Sequence, residues 1–153
     1  FQWYSKSAES GNSWAICNLG ICYQDGIGVP KDLSKAFELF DRAAKSGSSR
    51  AMFKLALCYL DGTGCERDEY LAVDWLSKAA EKGNVNAQYR LALCLENGVG
   101  TAVDMSQAIS YYQRAASSGD HAANQALRRI FSHGHSDQNG SALRLISHVA
   151  PSA

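Results

Sequence analysis

The chain lacks the composition biases that usually point to a particular ligand or environment. Its 153 residues include 15 Lys plus Arg and 15 Asp plus Glu, so the formal net charge is zero. A balanced charge removes the usual electrostatic case for binding nucleic acid or an anionic membrane. No apolar run approaches the roughly 18 residues of a transmembrane helix, and no signal peptide is visible. The sequence therefore predicts neither nucleic acid nor membrane as a partner.

What the sequence does contain is a repeat with a period of 36 residues. Two small residues mark its phase: Gly11, Gly47, Gly83 and Gly119, together with Ala15, Ala51, Ala87 and Ala123. A fixed period of this length indicates supersecondary units stacked on copies of themselves. Such arrays form extended binding surfaces more often than catalytic clefts.

Each unit predicts two antiparallel helices, here called helix A and helix B. In the first unit, Ala15, Leu19 and Cys22 are spaced as one face of helix A, and Gly26 is predicted to cap its end. Asp32 is predicted to cap the start of helix B, which runs to Gly47. The buried stripe of helix B is predicted to comprise Ala36, Phe37, Leu39, Phe40, Ala43 and Ala44.

The period divides the chain into three complete repeats, residues 12–47, 48–83 and 84–119. Residues 1–11 align with the end of helix B, and the chain has no initiator Met, so they are expected to close a truncated preceding repeat. Residues 120–153 are expected to form a divergent capping repeat, with helix A ending at Gly134. In that repeat Arg128 and Arg129 replace small or apolar residues, as a wetter terminal face requires.

The unit from Ala15 to Gly47 resembles the Sel-one-like repeat (SLR), a longer-looped relative of the tetratricopeptide repeat. The resemblance rests on the paired alanines before a glycine, the Gly-x-Gly loop and the capping Asp, all at one period. It implies an all-α fold, a right-handed superhelix (solenoid) of antiparallel helix pairs. It also implies a non-enzymatic adaptor for protein complexes, with no cofactor.

In tetratricopeptide-like superhelices helix A lines the concave side, so the resemblance also implies where a partner binds. We call the helix A positions outside the internal seam the A-helix face. This face comprises Trp14, Asn18, Ile21, Arg50, Phe53, Lys54, Leu57, Leu60, Asn86, Tyr89, Arg90, Leu93 and Glu96, with Cys17 and Gln24 at equivalent positions. An apolar floor edged by Lys54 and Arg90 suits a peptide with apolar anchors and acidic groups. Phe53 and Tyr89 could equally fill the seam between repeats.

The five cysteines are predicted to be buried hydrophobes in a reducing compartment such as the cytoplasm. Four lie on helix A, Cys65 lies in a loop, and none lies on helix B. In the cysteine-rich secreted branch of the family that the chain resembles, helix A and helix B of one repeat are cross-linked, a pairing that this distribution does not offer. A sequon, Asn139-Gly140-Ser141, leaves open an organelle or the ER lumen, if an upstream targeting sequence was removed.

Enzymatic interpretations find less support. The element Gly26-Ile27-Gly28 recurs after each helix A without the Lys-Ser or Lys-Thr of a phosphate-binding loop, so it is interpreted as a turn. Neither a catalytic pair using Cys65 nor a metal site is predicted. The histidines weighed for that metal site are His121, His133, His135 and His148.

The favoured function is therefore a protein-binding scaffold. The alternative is a regulatory or substrate-docking domain of a larger enzyme, such as a ubiquitin-ligase or kinase system, with catalysis elsewhere. Self-association through the exposed end of the array is a third possibility.

Overall fold

The computed structural model describes residues 11–137, with side chains described as far as Ser132. That part of the chain contains helices and connecting loops, and no strand. The helices are α1 (Ser13–Asp25), α2 (Leu33–Lys45), α3 (Ser49–Asp61), α4 (Glu69–Glu81), α5 (Val85–Asn97), α6 (Met105–Ser117) and α7 (His121–Asp137). Helices α1, α3, α5 and α7 are the predicted A helices, and α2, α4 and α6 are the B helices.

Side-chain caps fix where both kinds of helix begin. The carboxylates of Asp32, Asp68 and Asp104 each accept a backbone N–H of the first turn at 3.0–3.1 Å, which confirms the predicted cap of helix B. Helices α1, α3 and α5 begin in the same way, after Asn12, Ser48 and Asn84. These A-helix caps were not predicted, although a polar residue recurs there at the period of the repeat.

The helix ends largely follow the predicted pattern. Gly26 caps α1 in the left-handed conformation, with φ +71°, and its N–H bonds to the Cys22 carbonyl, as expected. Helix α2 ends at Lys45, slightly before Gly47, because Ser46 caps the last carbonyls and Gly47 then turns the chain with φ +102°.

The end of α7 was predicted wrongly, because this helix continues through Gly134 to Asp137. In the second and third repeats a second glycine, Gly64 or Gly100, comes within van der Waals distance of an earlier helix, leaving no room for a Cβ. The sequence has Ser136 at the equivalent position. A serine cannot make this close approach, so the loop that would end the helix is disfavoured. The predicted helices in residues 1–11 and 141–150 lie, apart from Gly11, outside the described residues.

Stacking is sequential: each helix packs on the next along the chain, most extensively on its partner in the same repeat. This arrangement confirms the predicted all-α solenoid of antiparallel helix pairs. Alanines on both helices, among them Ala15, Ala43 and Ala44, are almost fully buried and allow close approach. Phe37 and Trp75 of the predicted stripes are only half-buried, because they lie at its edge.

One pair of facing residues shows how core volume is balanced between the first two repeats. Gly20 on α1 faces the buried ring of Phe40 on α2, and a Cβ at Gly20 would lie 2.8 Å from that ring. In the second repeat the equivalent positions are Ala56 and Leu76. The additional methyl group of Ala56 relative to Gly20 is thus matched by a smaller side chain, leucine instead of phenylalanine, on the facing helix. Interiors are packed densely enough that a single methyl group matters.

Candidate protein-binding face

The apolar residues of the A-helix face lie half in the core and half at the surface. They pack against the buried core yet keep part of their area exposed, and comprise Ile21, Phe53, Leu57, Leu60, Tyr89 and Leu93. The ring of Tyr89 lies 5.8 Å from that of Tyr112 on α6, tilted by 53°. Tyr89 therefore supports its own repeat and also presents ring surface outward. Trp14, at the start of α1, is 50% exposed.

Two residues at these positions are buried. Cys17 is 1% exposed and so adds no surface to the face. Asn18 is 8% exposed, and its Oδ1 accepts a hydrogen bond from Nη1 of Arg50 at 2.9 Å. This bond joins α1 to α3, the A helices of consecutive repeats.

Leu60, Arg90 and Leu93 line a cavity of about 270 Å³ between the C-terminal ends of α3 and α5. Cys94 and Val99 add apolar surface to the wall. Loop and helix-end residues complete it with polar groups, namely Asp61, Arg67, Glu69 and Asn97. The sequence did not predict these loop contributions, because a helical pattern assigns faces to helices and says nothing about where the connecting loops lie.

Glu96 is the acidic member of the face, and its charge is already compensated. Nη1 and Nη2 of Arg129 on α7 donate to its two carboxylate oxygens at 2.6 and 2.9 Å, and the Tyr112 hydroxyl donates to Oε1 at 2.7 Å. The hydrogen bonds from Arg129, and secondarily that from Tyr112, lower the pKa of Glu96. Burial raises the pKa of Tyr112, and its bond to Glu96 adds to this effect.

The basic members of the face are not compensated in this way. Within the described residues, Arg50, Lys54 and Arg90 form no ion pair, and Arg50 bonds only to the neutral Asn18 amide. Asn86 is exposed and carries no charge. With Glu96 paired to Arg129, the charged members of the A-helix face that have no ion pair among the described residues are all basic, although Asp61 and Glu69 also line the cavity beside Arg90.

The cysteines are free thiols, and the helix thiols Cys17, Cys22, Cys58 and Cys94 are buried. Burial raises the pKa of Cys58 to about 11 and also raises the pKa of Cys17, Cys65 and Cys94. A protonated thiol is a poor nucleophile and metal ligand. The described residues contain no cluster of His, Cys, Asp or Glu suited to a metal ion, while the side chains of His133, His135 and His148 lie outside them.

None of the described helices combines the length and apolar character that crossing a membrane requires.

Comparison with known proteins identifies relatives of this architecture. A Sel1 repeat protein from Oxalobacter formigenes is 32% identical, with a TM-score of 0.79, over 85% of this chain and 54% of that one. The protein c5321, a protective antigen present in uropathogenic Escherichia coli strains and displaying an SLR fold, is 31% identical, with a TM-score of 0.85. That alignment covers 87% of this chain and 28% of c5321, so the chain spans only part of the length of both relatives.

Helicobacter pylori cysteine rich protein B is 21% identical over 82% of this chain and 90% of its own, with a TM-score of 0.65, and shares the fold. None of the curated proteins matches the chain. The model of the Sel1 repeat matches residues 1–12, 15–48, 49–84 and 85–120. The chain therefore belongs to the Sel1 repeat family, whose members are generally protein-interaction scaffolds and typically not catalytic.

Proposed function

We propose that this chain is a scaffold module whose A-helix face binds a segment of a partner protein and holds it within a larger complex. The observation that carries the proposal is the cavity between α3 and α5, which includes Leu60, Arg90 and Leu93 of that face. Its volume of about 270 Å³ is smaller than the roughly 300–1,000 Å³ of small-molecule sites. A cavity of this size accommodates one anchoring side chain of a bound segment.

The chemistry of the face favours a segment with apolar anchors and acidic groups. Phe53, Leu57, Tyr89 and Leu93 supply half-buried apolar surface on consecutive A helices. Lys54 and Arg90 supply positive charge without a partner among the described residues. Rigid, partly buried aromatic and aliphatic anchors usually carry most of the affinity of an interface, and charges at its rim select the partner.

The proposal extends to a reducing compartment such as the cytoplasm. All five cysteines are free, and the helix thiols are packed as small hydrophobic side chains. Free buried thiols are typical of proteins kept in reducing surroundings.

The test begins with selection of binding peptides from a random displayed library against the complete 153-residue chain. A synthetic copy of a selected peptide is then titrated into variants by calorimetry. Tyr89→Ala is expected to weaken binding by about 1–3 kcal/mol, because it removes a central apolar anchor. The matched control is Tyr70→Ala, since Tyr70 is 76% exposed on α4 and lies off the face. That variant should bind the peptide as the parent does.

Thermal unfolding of each variant separates binding from packing, since Tyr89 also contacts Tyr112. Leu93→Ala, in the cavity wall, provides a second variant, with the exposed Leu71 as its control. If folded Tyr89→Ala and Leu93→Ala proteins both keep the parent affinity, the A-helix face is not the binding surface. Failure to select any peptide would also count against it.

A further inference from the structure

We propose that Asn18, Arg50 and Lys54 form a carboxylate-binding subsite on the A-helix face. The subsite lies where the A helices of the first two repeats meet, and its ligand is a carboxylate of the bound protein segment. This inference rests on the function proposed above and assigns one chemical group of the partner to one place on the face.

The hydrogen bond between Arg50 and Asn18 fixes the orientation of the amide. Because Oδ1 of Asn18 accepts from the guanidinium at 2.9 Å, the amide nitrogen Nδ2 is left as the free end of the side chain. Asn18 is 8% exposed, and Nδ2 has no acceptor among the described residues. Buried donors in native proteins nearly always have a partner, and the proposal assigns to this one an acceptor of the bound segment.

One positive charge, that of Arg50, is bonded to this amide, and a second, that of Lys54, follows one helical turn later on α3. Arg50 and Lys54 are four residues apart on α3, a spacing that places side chains on the same side of a helix. Burial raises the pKa of Cys17, the residue before Asn18, and the positive charges of Arg50 and Lys54 partly oppose this rise. Both charges therefore lie near Cys17 on α1. Like charges at this spacing repel each other, and an anion between them would remove the repulsion.

The donors and charges together select the class of ligand. A guanidinium, an ammonium and an amide N–H₂ are all donors, and Oδ1, the one acceptor atom of the group, already accepts a bond from Arg50. An anionic ligand with acceptor oxygens matches all three donors. A carboxylate offers two oxygens in one plane, which suits simultaneous bonds from a guanidinium and a second donor.

The subsite occurs once in the described array. Moving the Asn18 and Arg50 positions by one repeat gives Lys54 and Asn86, and a further shift gives Arg90 on α5 and Ala122 on α7. Neither pair reproduces an amide held by a guanidinium. A bound segment would therefore have one preferred register, with its carboxylate at the first interface and its apolar anchors toward the α3–α5 cavity.

The test uses ¹H–¹⁵N spectra of the complete chain titrated with sodium acetate and, as a neutral isostere, with acetamide at constant ionic strength. Asn18→Leu assigns the Asn18 side-chain NH₂ signals by their disappearance. Acetate is expected to shift those signals saturably, and acetamide is not. Lys54→Gln should weaken the acetate response by about tenfold, as expected for the loss of one charge-assisted contact. Lys35→Gln, which removes an exposed lysine of α2, should leave it unchanged.

Three outcomes would overturn the subsite. In the first, acetate leaves the Asn18 signals of the parent chain unchanged. In the second, acetate shifts these signals as strongly in Lys54→Gln as in the parent. In the third, inorganic phosphate produces the same shift at markedly lower concentration than acetate. The last result would assign the site to a phosphate instead.

A selected peptide separates the subsite from the general function. The subsite predicts that replacing the acidic side chains of the peptide by amides, or amidating its C-terminus, weakens binding to the parent chain more than binding to Lys54→Gln. The two replacements made separately show which carboxylate is used. If neither change affects affinity while Tyr89→Ala still does, the subsite is wrong and the binding face stands. If acetate binds at Asn18 and no peptide can be selected, the proposed function is wrong.

Discussion

At the scale of single residues, the second glycine of the loops in the second and third repeats, Gly64 or Gly100, makes a contact that the repeat pattern did not reveal. A Cβ on Gly64 would lie 2.2 Å from the carbonyl oxygen of Leu33, and one on Gly100 would lie 2.2 Å from that of Glu69. These carbonyls belong to the first residues of α2 and α4, the B helices of the preceding repeats. The sequence predicts a turn at both glycines, whereas the approach to another repeat depends on how repeats stack.

A pair of alanine substitutions isolates this contact. Gly83 also has a positive φ, +92°, but nothing lies within 4 Å of a Cβ placed on it. Gly83→Ala should therefore lose only the conformational term, roughly 1–2 kcal/mol. Gly100→Ala adds a steric clash with backbone, so its loss should reach about 2–5 kcal/mol. Urea denaturation of both variants measures the difference, and equal losses would contradict the proposed role of the backbone contact.

At the scale of helices, the ion pair of Glu96 with Arg129 fastens α7 to the array. The pair spans consecutive A helices, and the Glu96 side chain is 13% exposed. A second pair with the same spacing, Glu81 with Arg114, joins α4 to α6, but its glutamate is 62% exposed and the charged atoms are 3.4 Å apart. Burial and geometry therefore make the first pair the stronger one, since exposed ion pairs contribute little to stability.

Glu96→Gln is expected to destabilise the protein by about 1–2 kcal/mol at pH 7, a range reduced because Arg129 is itself 46% exposed. The folded state lowers the pKa of Glu96, so its contribution is present above the unfolded-state pKa of roughly 4.3 and is lost as pH falls through the folded-state pKa. The difference in unfolding free energy between parent and variant should shrink toward zero with acidification.

The control for this series is Glu81→Gln, measured by urea denaturation at the same pH values. It should change stability by less than about 1 kcal/mol at every pH. A constant deficit of Glu96→Gln between neutral and acid pH would show that packing, not charge, accounts for the loss.

The sequence predicted the helices better than it predicted the side-chain contacts between repeats. The capping Asp32 and Gly26 and the apolar periodicity each depend on neighbours within a few residues, so they can be identified locally. Arg129 was interpreted as part of a wetter terminal face, and its pairing with Glu96 was missed. The two residues are 33 positions apart, three short of the period, because side chains of consecutive helices meet one turn out of register.

The candidate face was predictable only as a row of helix positions. The burial of Asn18 and Cys17 depends on how closely α1 and α3 pack. The cavity walls from Asp61, Arg67 and Asn97 depend on where loops and helix ends lie in the stacked array. Neither property follows from spacing along a single repeat.

At the scale of the whole molecule, the main contacts between the described helices join each helix to the next along the chain. Stability should therefore be approximately a sum of terms for each repeat and for each interface between repeats. The final interface buries Ala123, Ala126 and Ile130 and contains the pair formed by Arg129.

Deleting residues 119–153 should consequently leave a folded helical array of lower stability. The circular dichroism signal per residue is expected to stay close to that of the parent, while the urea midpoint falls because one interface is lost. A truncated protein that is unfolded at low temperature, or one with an unchanged midpoint, would contradict independent nearest-neighbour terms.

The contacts of Gly64 with Leu33 and of Gly100 with Glu69 have a consequence for how such arrays change over generations. The closest atoms of the joint are main-chain atoms, which are the same whatever amino acid lies on the opposite side, and the side chains of Phe37 and Val73 lie just beyond them. A duplicated, lost or exchanged unit should thus need few compensating substitutions at that junction. Substitutions on the A-helix face leave these glycine contacts unchanged. The number of repeats and the binding specificity of an array can therefore change separately.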